Sequence, residues 1–329
     1  MAIYKAAGEV ERTDLKDRTL VSSMYEVFTH EHAGRLTWRQ KEYVLEDVCR
    51  ELGAGISGRG LGKERFLQEI AAFAAEGNVP VLFTGDTTFG EVASSLKRGS
   101  TLSYLPGGTG CFMGFVIGYP RPYAKHIGDL FSVPDALTLP SVRSYLGRIA
   151  RSIKSGAEHP LDLLLHDSGR KLLMASIGVD PRVLVARAAY VQQGYGVGTS
   201  YGLAVRDIMR DFRGIDVMID VDGKRFERSH VATVLVTKVP YYGLGLRMAP
   251  HARIDDGLLH VRIIPRSAVD DVSIILSSVR GVQAGEHLSG KAVSIATPVP
   301  ELLQGDGDLL SEKLINGFSV LPAQVNLKY

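Results

Sequence analysis

Two stretches of this chain share one order of parts, and together they limit its fold more than any other feature. Val81-Leu82-Phe83 runs into Thr84-Gly85-Asp86-Thr87-Thr88 and then into a helical pattern. Leu102 to Leu105 runs into Pro106-Gly107-Gly108-Thr109-Gly110, again ahead of an apolar helical stretch. A short buried run, a glycine turn and a helix make the repeating unit of a parallel sheet covered on both faces. Glycine at the turn lets backbone approach a ligand closely, and the helix start offers unpaired N–H groups to an anion. Two such turns after neighbouring strands face one another at the C-terminal edge of the sheet, where open α/β sheets bind their ligands. Read singly, the first turn is better explained by Asp86 or Thr88 merely capping a helix.

The rest of the first third fits this plan. Tyr25 to Phe28 reads as a strand. Thr37 opens T-W-R-Q, a capping box with Gln40, and Leu45, Val48, Cys49 and Leu52 follow at helical spacing up to Gly53. A second helix carries Phe66, Ile70, Phe73 and Ala74 and stops at Gly77, and a third is expected from Thr88 to Lys97. Near residue 120 the pattern changes. Leu161 to Leu165 and Leu172 to Ile177 flank Asp167-Ser168-Gly169, and Val217, Ile219 and Val221 alternate up to Asp222-Gly223, two hairpin signals. Val231 to Val236, Leu258 to Ile264 and Ala292 to Ala296 continue in strand style, interrupted by helical stretches at Ser141 to Lys154 and Thr199 to Arg213. The expectation is a Rossmann-like α/β domain over 1–120 and a mainly antiparallel β-sandwich domain over 121–317, with 318–329 returning to the first domain. A chain of 329 residues is long enough for both.

Composition excludes several classes of function. Hydrophobic residues make up 45% and charged residues 22%, which rules out a disordered or fibrous chain. Lys and Arg total 38 against 36 Asp and Glu, a net charge of +2, so nothing general argues for nucleic acid as a partner. No apolar run approaches the ~18 residues that span a bilayer. Cys49 and Cys111 are too few for a disulfide framework or a structural zinc site. With a polar, charged first segment, the simplest expectation is a cytoplasmic protein.

Several short segments carry a resemblance. Thr84-Gly85-Asp86-Thr87-Thr88-Phe89-Gly90-Glu91-Val92 resembles G-G-D-G-T-x-N-E-V, and Pro106-Gly107-Gly108-Thr109-Gly110 resembles P-x-G-T-x-N-D. Pro160-Leu161-Asp162 matches P-x-D before a strand, and Gly178-Val179-Asp180 matches G-F-D. Tyr242-Gly243-Leu244-Gly245, Met248-Ala249-Pro250 and Asp256-Gly257-Leu258-Leu259 fall in the order of Y-x-G-G-G, x-A-P and D-G-x-L, and Gln304-Gly305-Asp306-Gly307-Asp308 resembles a late D-G-E. In that order the segments resemble the superfamily of diacylglycerol, sphingosine and ceramide kinases, whose fold is that of NAD kinases. The resemblance implies an ATP- and magnesium-dependent lipid kinase working at a membrane surface on diacylglycerol, ceramide or a sphingoid base. It implies Asp306 as the base that takes the acceptor proton, and Asp86 as a second catalytic acid. Gly85, Thr87, Thr88, Glu91, Gly107, Gly108, Thr109 and Gly110 would line the nucleotide, and Asp86, Asp162, Asp256 and Asp308 would hold metal. A turn aspartate is the ordinary reading of Asp306 on local sequence alone.

Departures from the motifs keep two other readings open. The opening N-P-x-S-G is here His30-Glu31-His32-Ala33-Gly34, the last G of G-G-D-G is Thr87, and the N-D after G-T-x is Cys111-Phe112. Asp308 replaces the glutamate of D-G-E. The alternatives are a degenerate kinase that binds nucleotide or lipid, and a kinase of a soluble hydroxyl compound. Ser141 to Lys154 places Val142, Leu146, Ile149 and Ile153 at helical spacing among Arg143, Arg148, Arg151 and Lys154. It reads equally as an interfacial helix on anionic lipid and as an ordinary surface helix. His30 and His32 could share a metal but lack an evident third ligand. Gly194 to Gly198 follows no buried strand and reads as a loop before a helix. Association into an oligomer is compatible with all of this.

Overall fold

The computed structural model describes residues 24–31, 33, 36–108, 111–119, 139–242, 246–266 and 285–329. The first domain begins with β1 (Tyr25–Phe28), α1 (Trp38–Leu52), β2 (Ile56–Ser57), α2 (Lys63–Ala75), β3 (Val79–Thr84), α3 (Asp86–Ser95), β4 (Ser100–Pro106) and the short α4 (Phe112–Val116). The strands β2, β1, β3 and β4 pair in parallel in that order. α1 starts where the sequence places it. Thr37 Oγ1 accepts from Gln40 N, the Gln40 side chain accepts from Thr37 N, and Gly53 closes the helix at φ 65°. α3 begins at Asp86, two residues ahead of the expected start at Thr88, because Gly85 already takes the N-cap conformation.

Next come α5 (Leu139–Ser155), β5 (Glu158–His166), β6 (Lys171–Leu172) and β7 (Met174–Gly178). α6 (Val179–Gln192) and α7 (Val197–Asp211) form a helical pair, followed by β8 (Ile215–Val221) and β9 (Lys224–Thr237). The chain ends with β10 (Leu259–Pro265), β11 (Glu286–Gly290), β12 (Ala292–Gly305) and β13 (Asp308–Lys328). From β7 onward all described strand pairs are antiparallel except one. That one is β13 with β4, Val325–Leu327 against Ser100–Leu102, which returns the C-terminal segment to the first domain's sheet. The β8–β9 hairpin turns through Asp222 and Gly223, both at positive φ as a two-residue hairpin requires.

α5 lies past residue 121, yet it packs with the first domain. Val142, Leu146, Ile149, Ala150 and Ile153 share a core with Val44, Leu45 and Val48 of α1 and with Val27, Val81, Phe83 and Leu105 of the sheet. Arg143 pairs with Glu46 (2.6 Å) and Asp47 (2.7 Å), and Lys154 Nζ donates to Glu51 O at 2.7 Å. The apolar stripe of this helix therefore faces α1, and two of its four cations answer acids there. The opposite side of the sheet packs α2, α3 and α4 into a core that also includes Leu173, Met174, Leu235 and Val239 of the second domain. That shared core fixes the two domains across the C-terminal edges of β3 and β4. No described helix is long and apolar enough to cross a membrane.

Candidate active site

β3 and β4 end together, with Thr84 opposite Pro106, so their loops leave the sheet side by side. Gly107 N donates to Thr84 O at 3.0 Å. A Cβ on Gly108 would lie 2.6 Å from the Cα of Gly85, and one on Gly107 would lie 2.8 Å from Thr84 N. Main chain thus packs directly on main chain, which is why both loops are glycine. Gly108→Ala must push one loop away. The expected cost of such overpacking is about 1–3 kcal/mol. A variant with an unchanged melting temperature would disprove the close packing. Thr109 and Gly110 lie outside the described residues.

Asp86, at the first position of α3, turns toward the second loop. Its Oδ2 accepts from Phe112 N (2.9 Å), and its Oδ1 accepts from Met113 N (3.1 Å) and Tyr104 Oη (3.2 Å). It caps α4 at long range. Burial raises its pKa to about 6 against the pull of those donors. Cys111, where the family motif has an asparagine, sits at φ 43° and donates from Sγ to Gly108 O at 2.8 Å. Burial pushes its thiol up to about 12, which disfavours the thiolate. Thr88 Oγ1 lies 3.3 Å from His30 Nε2, which brings the end of β1 to the same edge. Lys41, fully buried on α1, donates to the carbonyls of His30 and Glu31 and shapes the loop after β1. His32 lies outside the described residues. Glu91 faces α2 and pairs with Lys63.

Asp306 reaches this edge from the second domain. It sits at φ 51° in the tight turn between β12 and β13. Thr87 Oγ1 donates to its carbonyl at 3.1 Å, so the turn touches the first glycine loop. Its carboxylate accepts from Leu173 N (3.1 Å) and Met174 N (3.0 Å), and a Cβ on Gly90 of α3 would lie 2.9 Å from Oδ2. Desolvation raises its pKa to about 7, outweighing the two amides. Asp308 is exposed two residues on. Beside the turn, Gln304 Nε2 donates to Ser176 Oγ (2.8 Å) and lies 3.2 Å from Tyr242 Oη. Asp180, at the start of α6, is hydrogen-bonded to Ser176 and Thr233 and raised to about 6 by burial. Asp180 was visible in the G-F-D match, but nothing local marked its desolvation.

The structure brings Asp306, Thr87, Thr88, Gly85, Gly107 and Gly108 to one edge. Asp162 and Asp256 meet each other elsewhere, around Lys238, whose Nζ is 3.0 Å from Asp162 Oδ2 and 2.6 Å from Asp256 Oδ1. The four acids expected at metal do not converge, and among the described residues no group of three or more ligating side chains could hold an ion.

Residues 174–328 match the family described as the YegS C-terminal NAD kinase beta sandwich-like domain. That match takes in most of the second domain. The whole chain is similar in fold to a "putative diacylglycerol kinase" from Bacillus anthracis str. Sterne, with a TM-score of 0.70 at 16% identity over 93% of this chain and 97% of that one. A diacylglycerol kinase from the same organism gives a TM-score of 0.68 at 17% identity with the same coverage. No curated protein matches the sequence. These likenesses agree in fold with the superfamily that the motifs resemble, with a C-terminal β-rich domain of the NAD-kinase-like type.

Proposed function

We propose that the chain is an ATP-dependent kinase that phosphorylates a lipid hydroxyl, with diacylglycerol as the first candidate acceptor and ceramide or a sphingoid base as rivals. The observation that carries this reading is Asp306. Its carboxyl is held near pKa 7 by the second domain and laid against α3 and the first glycine loop. Phosphoryl transfer asks the protein chiefly for positioning and charge stabilisation. The two glycine loops would approach the phosphates with main chain, the Gly107 N–H itself being held by Thr84 O. The acceptor oxygen attacks the γ-phosphorus, its proton passes to Asp306, and the bond to the β,γ-bridging oxygen breaks to release ADP. A carboxylate poised near neutrality suits that proton transfer.

Asp86, Asp162 and Asp256 are engaged by protein donors, so they do not fit a resident magnesium ion. Labelled ATP supplied with vesicles containing diacylglycerol or ceramide, or with soluble polyols, tests the assignment. Label extracted into lipid supports it. Label in a polyol would reassign the acceptor. ATP bound but not consumed would favour the degenerate-kinase alternative, the reading that the engagement of Asp86 by α4 favours.

Peripheral contact with membrane belongs to the same proposal, but α5 does not carry it. Replacing Arg148, Arg151 and Lys154 with Gln is expected to change vesicle binding little, because the apolar stripe beneath them is buried on α1. Vesicle sedimentation at low salt checks this, and strong loss of binding would restore the helix as the membrane contact.

A further inference from the structure

The superfamily resemblance implies metal at Asp162 and at Asp256, and the structure brings these two acids together. The side chains found there do not fit a divalent ion. Lys238, at the end of β9, is fully buried, and its Nζ sits between the two carboxylates. It also donates to Leu258 O at 2.5 Å, so three oxygens surround one nitrogen with three protons. The other lone pairs are taken as well. Asp162 Oδ1 accepts from Ala323 N (2.8 Å) and Oδ2 from Gly257 N (2.8 Å). Asp256 Oδ2 lies 2.9 Å from His260 Nε2, and its Oδ1 also accepts from Leu258 N at 3.1 Å.

We infer that Lys238 is a tethered cation standing where a divalent ion would otherwise sit, so that this part of the fold is independent of metal. The chemistry is that of a cation site. Two carboxylates from distant segments and a main-chain carbonyl converge on a single positive centre. A calcium or magnesium ion would draw on the same oxygen types. An ammonium delivers its charge on a four-carbon stem and cannot be lost by dilution or chelation. The position matters because Ala323 lies at φ 46° in the irregular stretch of β13, between Leu321 and Val325. There β13 passes from the second domain toward its pairing with β4. Asp162 grips that bend while the 254–258 loop is held by Asp256, and Lys238 binds both. Metal independence here would hold whether or not the chain transfers phosphate.

The test is thermal melting of the full chain without nucleotide, after exhaustive dialysis against EDTA, with and without millimolar Mg2+, Ca2+ or Mn2+. Wild type is expected to melt at one temperature in every buffer. Lys238→Ala, which vacates the nitrogen but leaves the oxygens, is expected to melt lower and to be raised by at least one of the ions. That rise should vanish in Lys238→Ala/Asp256→Asn. If Lys238→Ala is insoluble, refolding it with and without Ca2+ replaces the melt, and recovery only with the ion supports the inference. A metal-induced rise in wild type that Asp256→Asn abolishes would overturn it. So would a Lys238→Ala protein indifferent to every ion, or one that refolds in neither buffer.

Discussion

Asp306→Asn is expected to lower phosphoryl transfer by about 10²- to 10⁴-fold and to leave the fold intact. The amide oxygen can accept from both Leu173 N and Met174 N as Oδ1 of Asp306 does now, and asparagine tolerates the positive φ of this turn. Only the proton acceptor is lost. Two pH profiles separate that loss from a structural effect. In the folded protein the Asp306 pKa rises from the usual 3.8 to about 7. Between those values the folded chain binds a proton that the unfolded chain has released, so this group's contribution to stability falls as pH rises through the window. The asparagine variant should lose that slope and resist denaturant relatively better at pH 8 than at pH 5. Activity runs the other way. The base works ionised, so wild-type kcat/KM should climb about tenfold per unit up to pH 7 and then level. Near wild-type turnover in the variant, or a rising limb retained in it, would remove Asp306 from the role of base.

The first domain was legible because its signals are local. The Thr37 and Gln40 capping box, Gly53 at positive φ and the glycine turns after β3 and β4 each act within a few residues. What those turns point at was not local. Asp86 caps amides 26 residues away, and the sequence pattern of strand, glycine, aspartate and helix is the same whether the acid faces a ligand or α4. α5 shows the same limit. Its periodicity fixes an apolar face, but only the meeting of Arg143 with Glu46 and Asp47 says that α1 covers it. α6 escaped notice because it buries only Pro181 and Val183, and its β-branched residues and early proline argue against a helix. Lys238 reads as a charge ending the apolar run 231–237, and its partners Asp162 and Asp256 lie in other strands and loops.

Lys238→Met is the substitution expected to cost most stability. It keeps the stem and removes the charge, leaving the buried Asp162 and the more exposed Asp256 to face each other without the ammonium between them. Breaking a buried ion pair from one side typically destabilises by about 3–5 kcal/mol, because the orphaned charge remains desolvated. Two further features raise the stakes. Leu258 O loses its donor, and like charges at this separation repel. The sign of the remedy follows. Asp162→Asn and Asp256→Asn added to Lys238→Met remove the orphaned charges, and the triple variant should recover a large part of the loss although it has fewer native groups than the single one. Urea melts of the single, double and triple variants in EDTA measure the coupling directly. A single variant within about 1 kcal/mol of wild type would mean that water reaches the cluster and screens it. Recovery in the triple variant would show that the lysine acts there by neutralising two acids and that its stem contributes little.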